Sequence, residues 1–144
     1  MTFREMLVED PDQVMEIEND LISPPWTREG FFTFLLKDEN MFFVVEEKGR
    51  ILGYCSMQTV LDEGDILNVA VTRDRQKEGI GYFLVDSMLM LAAARGIHIV
   101  HLEVRESNGS ARRLYHRLGF KEDGFRKNYY TEPVENAVLM TKTQ

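Results

Sequence analysis

Cysteine is almost missing from this chain. Cys55 stands alone, so no internal disulfide can form, and neither the CxxC pattern nor the Cys/His spacing of a metal site occurs. A reducing compartment is the simplest setting. Long apolar runs are lacking too: the longest, MLMLAAA over residues 88–94, falls far short of the ~20 residues of a membrane span. The opening MTFREMLVEDPDQ has no apolar stretch behind a basic end. These absences lead to the expectation of a soluble, cytoplasmic protein with no membrane partner. Basic charge is also scarce. The net charge of -7 argues against general nucleic-acid binding, which draws its affinity from phosphate neutralisation by Lys and Arg. The scarcity is uneven: residues 1–65 hold 5 Lys+Arg against 15 Asp+Glu, a net of -10, and the remainder holds 12 against 9, a net of +3. The two halves therefore suit different partners, although acids such as Glu16, Glu18 and Asp20 read singly as a solvated helix face.

What is present suffices for one domain over residues 1–144, since 44% hydrophobic content supplies a sizeable core. TFREM alternates as a strand, and Asp10-Pro11 opens a helix to about Leu21, with Asp10 as N-cap. SPPW is a loop, and Thr27 starts a second, short helix. MFFVVEE and ILGYCSMQTVL flank Lys48-Gly49-Arg50 as a hairpin, and DILNVAV pairs next. A third helix, Gly79 to Arg95, places Ile80, Phe83, Leu84, Met88 and Leu91 on one stripe. IHIVHLEV reads as a buried strand, Asn108 to Leu118 as a helix ended by Gly119, and FKEDGFRKNYY with VENAVLMTK as a closing hairpin. No linker, repeat or low-complexity segment interrupts the series.

The middle thus runs strand, glycine loop, helix, strand, a right-handed crossover between parallel strands. Ligands of such units sit at the carboxyl ends of the strands. RQKEGIG, residues 75–81, occupies that place. There the free amides of a first helical turn carry roughly half a positive charge, and Gly79 and Gly81 remove side chains that would hold an anion off. A plain tight turn explains the glycines equally well. No GxxxxGK[ST] occurs, and Leu84 stands where the third glycine of GxGxxG would be, which disfavours nucleoside-triphosphate and dinucleotide folds.

Gln76-Lys77-Glu78-Gly79-Ile80-Gly81 resembles the pyrophosphate loop, Q/R-x-x-G-x-G/A, of the GNAT family of acetyl-CoA-dependent N-acetyltransferases. The likeness extends over nearly the whole chain. NGSARRLYHRLGFK is similar to the family's cofactor-side helix, and PPW, LDEGDILNVAV, LEVRESN, FRKNYY and NAVLM are similar to the RimI-type subfamily, whose members acetylate the N-terminal alanine of small-subunit ribosomal protein eighteen. Glu78, Thr131 and Asn136 depart from the pattern. The resemblance implies an α/β fold: a mixed central sheet of about seven strands, a splayed parallel pair formed by the fourth and fifth, and four helices. It also implies acetyl-CoA as cosubstrate, no metal, and a protein N-terminus, ribosomal in origin, as the acceptor.

Acyl transfer from a thioester to an amine needs a neutral nucleophile, a donor to the developing oxyanion and a proton for the departing thiolate. Glu103 lies near the end of the IHIVHLEV strand on the face of Ile99 and His101. The resemblance makes it the proton acceptor; on residues alone, pairing with Arg105 or a backbone amide stays open. Tyr115 would by resemblance protonate the sulfur, and a packed tyrosine with a bonded tip is compatible with that. The resemblance further implies that Val69, Ala70 and Val71 offer backbone groups to the pantetheine arm, with the Val71 amide polarising the thioester carbonyl. It implies too that residues Gln76 through Gly81 with Tyr82 hold the phosphates, and that Asn108 either meets the cofactor or caps its helix. Trp26, Tyr129 and Tyr130 would line the acceptor groove, where loop anchoring is the other reading. His98 and His101, three apart on one strand, face opposite ways and make no metal pair. Two alternatives remain: an enzyme acting on lysine or a small-molecule amine, and a non-catalytic acyl-CoA sensor, against which the presence of both Glu103 and Tyr115 argues.

Overall fold

A computed structural model describes residues 1–144. In chain order the elements are β1 (Thr2–Glu5), α1 (Pro11–Leu21), α2 (Arg28–Leu35), β2 (Met41–Glu47), β3 (Arg50–Val60), β4 (Glu63–Val71), a 3-10 turn (Arg73–Arg75), α3 (Ile80–Ala94), β5 (Ile99–Arg105), α4 (Gly109–Arg117), β6 (Lys121–Tyr130) and β7 (Glu135–Thr143). The seven strands form one sheet in the order β1-β2-β3-β4-β5-β7-β6. Every neighbouring pair is antiparallel except β4 and β5, which are parallel as the crossover requires. No helix is long and apolar enough to cross a membrane.

Local chemistry sets most boundaries. The Thr27 hydroxyl accepts the Gly30 amide at 3.0 Å and opens α2; the Asn108 side-chain oxygen accepts the Ala111 amide at 3.2 Å and opens α4. Gly96 and Gly119, at φ of 86° and 97°, end α3 and α4 in the left-handed region that glycine tolerates. Asp10 does not cap α1 as the sequence predicts. Arg4 reaches across from β1 and takes its carboxylate at 2.7 and 3.1 Å, and the Leu7 amide takes it at 2.7 Å. The carboxylate thus locks the β1–α1 turn instead of the helix start.

Two cores lie on opposite faces of the sheet. α3 and α4 cover one, where Leu84, Met88, Val100, Leu102, Tyr115 and Met140 meet. α1 and α2 cover the other over β2, β3 and the end of β4, with Val14, Phe31, Phe42, Tyr54 and Ala70 buried. The predicted stripe of α3 needs correction: Phe83 and Leu91 are 37% and 38% exposed, and Val85, Leu89 and Ala92 are buried in their place. This helix is apolar around most of its circumference, so periodicity alone cannot pick the inward arc. The reading of β5 as a buried strand is half right. Val100, Leu102 and Val104 are buried, but Ile99, His101 and Glu103 are half-buried, because the α1/α2 core does not extend over that face of β5.

Two irregularities shape the middle of the sheet. Parallel pairing of β4 with β5 runs from Glu63–Ile99 to Ile66–Leu102 and then stops. Beyond it, Leu67–Val71 and Glu103–Arg105 diverge. Between the pairs Met57–Ile66 and Cys55–Val69, β4 advances one residue more than β3, which is a β-bulge.

Candidate active site

One wall of the opening is backbone. The Thr72 amide donates to Leu52 O at 2.8 Å, and Ala70 is partnered with Tyr54 of β3. By antiparallel alternation, Val69 and Val71 turn their amides and carbonyls away from β3, toward the gap. The Gln76 side chain fills part of that edge by donating to Val71 O at 3.0 Å.

The loop that follows presents amides. Gly79 sits at φ 84° before α3, with no side chain capping the helix. The Phe83 amide, donating to Gly79 O at 3.0 Å, begins the helical ladder, so the amides of Ile80, Gly81 and Tyr82 precede it. A Cβ added at Gly79 would meet nothing within 4 Å, and one at Gly81 would make ordinary contacts with Leu114 at 3.6 Å and Val71 at 4.0 Å. The space before this turn is clear, and a group carrying phosphates fits it. Glu78 is not turned into that space: it pairs with Arg75 at 3.0 Å, and Arg75 also holds Glu47 at 2.6 Å. Lys77 takes a positive φ of 65°. Tyr82 packs at the edge of the α3 core, with the Arg117 guanidinium 4.9 Å from its ring centre. Asn108 spends its side-chain oxygen on the α4 cap.

The other wall carries Glu103 and the tyrosines. Arg105 does not pair with Glu103. Its guanidinium donates to Ser23 O at 2.9 Å, Thr131 O at 3.0 Å, Pro133 O at 3.0 Å and the Glu135 carboxylate at 3.3 Å, and lies 4.5 Å from the Tyr130 ring centre. Glu135 in turn accepts the Ser107 amide at 2.6 Å. Tyr115 is buried, edge-on to Phe120 at 5.7 Å. Burial pushes its phenol above the ordinary range, with Cys55 and Tyr130 adding to the effect and no hydrogen bond involved. Burial pushes the Tyr130 phenol up to about 12, helped by the charge of Glu103 and opposed by Arg105. Tyr130 thus feels the charges of Glu103 and Arg105 together, and it is the Arg105 guanidinium that packs on its ring.

Trp26 and Tyr129 are less central. Trp26 packs on Phe31, Phe34 and Phe42 with ring centres 5.3 to 6.4 Å away, the anchoring reading of its loop. Tyr129 is exposed, edge-on to Tyr130 at 5.1 Å and 5.5 Å from the Arg126 guanidinium. Of the departures from the family pattern, Thr131 supplies a carbonyl to Arg105, and the Asn136 side chain accepts the amide of Asn128, whose φ is 55°.

Two features went unread in the sequence. Arg105 joins two loops through three carbonyls that no side-chain pattern announces. Glu18, read with Glu16 and Asp20 as a solvated face, is only 1% exposed. It accepts from the Tyr54 hydroxyl, from Asn68 Nδ2 at 3.0 Å and from the Trp26 amide at 2.9 Å. The signal was available, since Pro11, Val14 and Ile17 set an inward arc that includes position 18.

A sheet parted between parallel strands, with bare helix amides on one side of the parting and a half-buried carboxylate on the other, defines the acyl-group transferases of this architecture. The sequence profile described as the acetyltransferase (GNAT) family matches residues 11–120, and the chain belongs to that family of N-acetyltransferases. It is 37% identical over 136 residues to the [ribosomal protein bS18]-alanine N-acetyltransferase of Haemophilus influenzae, covering 91% of this chain and 90% of the relative. Among solved structures it is similar to the ribosomal-protein-S18-alanine N-acetyltransferase of Escherichia coli, with TM-score 0.91, 31% identity and coverage of 99% and 92% of the two chains. Ard1 from Thermoplasma volcanium is similar at TM-score 0.88 and 27% identity, over 99% of this chain and 96% of that one.

Proposed function

We propose that this protein transfers the acetyl group of acetyl-CoA to the α-amine of an N-terminal alanine, and that its acceptor is ribosomal protein bS18 in the cytoplasm. The observation that carries the reading is the end of β4–β5 pairing at Ile66–Leu102, which leaves uncapped α3 amides on one flank and Glu103 on the other. Relatives named for the bS18 reaction, matching over most of both chains, support the choice of acceptor.

Each residue then has a duty. The amides of residues 79–82 hold the phosphates, aided by the helix dipole. Val69 and Val71 bond the pantetheine arm through main-chain groups. Acetyl-CoA, when bound, supplies the thioester carbon that the amine attacks. Glu103, directly or through a water, accepts the proton that the amine loses; the Val71 amide donates to the carbonyl oxygen as negative charge builds there; the Tyr115 hydroxyl donates its proton to the departing thiolate. Trp26, Tyr129 and Tyr130 border the acceptor. A modest base suffices: an α-amine has a pKa near ~7.8 against ~10.4 for lysine, so roughly three-hundredfold more of it is neutral at pH 7.

The test is thiol release from acetyl-CoA with peptides starting in Ala, Ser, Met or Gly, beside an N-blocked lysine peptide. Turnover of the alanine peptide ahead of the others is expected. Turnover of the lysine peptide alone would refute the N-terminal reading, and binding of acetyl-CoA without any turnover would favour a sensor.

A further inference from the structure

We propose that Asn68 is an acceptor-binding residue: its side-chain oxygen takes an N–H of the incoming α-amine on the β4 flank of the opening, and buried Glu18 fixes it in that orientation. The inference rests on the N-terminal reading above and names a contact which that reading leaves out.

The bulge in β4 supplies the placement. Ile66 packs into the α3-side core, and regular alternation would turn Asn68 to the same face two residues later. The extra residue reverses the parity. Val69 and Val71 pack toward the α3 side, Ala70 joins the α1 side, and Asn68 shares the face of Ala70. Across the gap, Val100, Leu102 and Val104 take the α3 side of β5, so Glu103 occupies the same face as Asn68. The bulge thus sets a carboxamide on one flank and the proposed base on the other, on one side of the sheet, where the strands have just separated.

Glu18 supplies the orientation. Its carboxylate is buried, and all three of its donors, the Tyr54 hydroxyl, Asn68 Nδ2 and the Trp26 amide, are neutral. A buried charge without a cation is costly, and a neutral residue would fill the place at less cost to stability. An ionised carboxylate does one thing a neutral residue does not: it only accepts, so it dictates which end of the Asn68 amide faces it. Nδ2 points to Glu18, and Oδ1, which has no protein donor, faces the other way. The Asn68 backbone is pinned as well, its amide donating to the Ser56 hydroxyl at 3.3 Å. A fixed, outward carbonyl oxygen suits an amine, which has protons to offer and loses one to the base. Glu18 is the positioning residue, and through the Trp26 amide it ties the same carboxamide to the loop between α1 and α2.

The experiment compares steady-state kinetics with an alanine-starting peptide for wild type, Asn68→Leu, Glu18→Gln, and the pair Glu18→Gln/Asn68→Asp, with acetyl-CoA affinity measured by calorimetry. Asn68→Leu should raise the peptide KM about tenfold, the worth of one lost hydrogen bond to a charged or partly charged donor, while acetyl-CoA affinity stays within about twofold of wild type. Glu18→Gln releases the amide to rotate and should raise the peptide KM similarly. In the pair, the carboxamide introduced at position 18 donates to one oxygen of the carboxylate introduced at position 68, and the other oxygen again faces the acceptor, so KM should return most of the way. That rescue is outside the reach of a merely structural role. A peptide KM unmoved by Asn68→Leu, a parallel loss of acetyl-CoA affinity, or a pair no better than Glu18→Gln overturns the assignment while leaving the N-terminal reading intact. If Asn68→Leu disturbs the bulge, Asn68→Ala carries the same expectation. Absence of peptide turnover by wild type sinks both.

Discussion

In the proposed reaction Glu103 and Tyr115 have opposite proton duties, and their surroundings divide them. Glu103 is half-buried on the uncovered face of β5, open to an amine and to water. Tyr115 is buried against Phe120, and that burial keeps its phenol protonated above the usual tyrosine range. Glu103→Gln should lower kcat/KM by about 10² or more, the usual worth of a general base, with the largest deficit at low pH, where little neutral amine exists. A pH-rate profile unchanged in shape and height would remove Glu103 as the base. Tyr115→Phe should lower kcat by a similar factor. Since burial raises the phenol's pKa, the donor is retained as pH climbs, and the ratio of wild-type to Tyr115→Phe rates should stay flat to about pH 9.5. A ratio that collapses near pH 9 would show a phenol titrating below its usual range and refute this role. Their positions, on β5 and α4, were legible from strand alternation and helix spacing, whereas the duties proposed for them come from family likeness alone. The burial of Glu18 was passed over, because an acid on an amphipathic helix reads as solvated unless the inward arc of Pro11, Val14 and Ile17 is weighed against it.

At the scale of elements, Arg105 works as a clasp. Its fork reaches the carbonyl of Ser23 in the α1–α2 loop and those of Thr131 and Pro133 in the β6–β7 loop, while Glu135 links it to the start of the β5–α4 turn. A lysine offers a point charge on a flexible stem and cannot span these acceptors in one plane. Arg105→Lys should therefore raise the peptide KM about five- to tenfold, of the order of one charged hydrogen bond, and speed amide exchange in residues 129–135, with acetyl-CoA affinity unchanged. Equal exchange rates in the two proteins would mean that the loops hold without the clasp. Such main-chain contacts were out of reach of sequence reading, whereas the caps at Thr27 and Asn108, the terminating glycines and the parallel crossover were readable because each is a local or topological rule. Asp10 marks the limit of local rules: a good N-cap residue was taken by an arginine arriving from another strand.

For the molecule as a whole, charge asymmetry acquires a direction from the fold. The acidic first half contributes Glu63 and Asp65 of β4, and Glu63 is hydrogen-bonded at 2.8 Å to His101, whose face of β5 also carries Glu103. The basic excess lies instead in the second half, where Arg112 is paired with Glu122 and Arg117 lies on Tyr82. A basic polypeptide that approaches along Glu63, Asp65 and Glu103 is expected to gain from their charge, in its encounter rate more than in its intrinsic affinity. Screening shortens the reach of that field from ~10 Å at 0.1 M salt to ~3 Å at 1 M. For an alanine-starting acceptor with several Lys or Arg residues downstream, kcat/KM should fall about tenfold between 0.05 and 0.5 M salt. A neutral alanine peptide of the same length should change by less than about twofold, because its approach is not steered. Stopped assays at four or five salt concentrations with the two peptides in parallel decide the matter. Equal salt slopes would show that the acidic half plays no part in recruiting the acceptor, and that only the immediate surroundings of Glu103 select it.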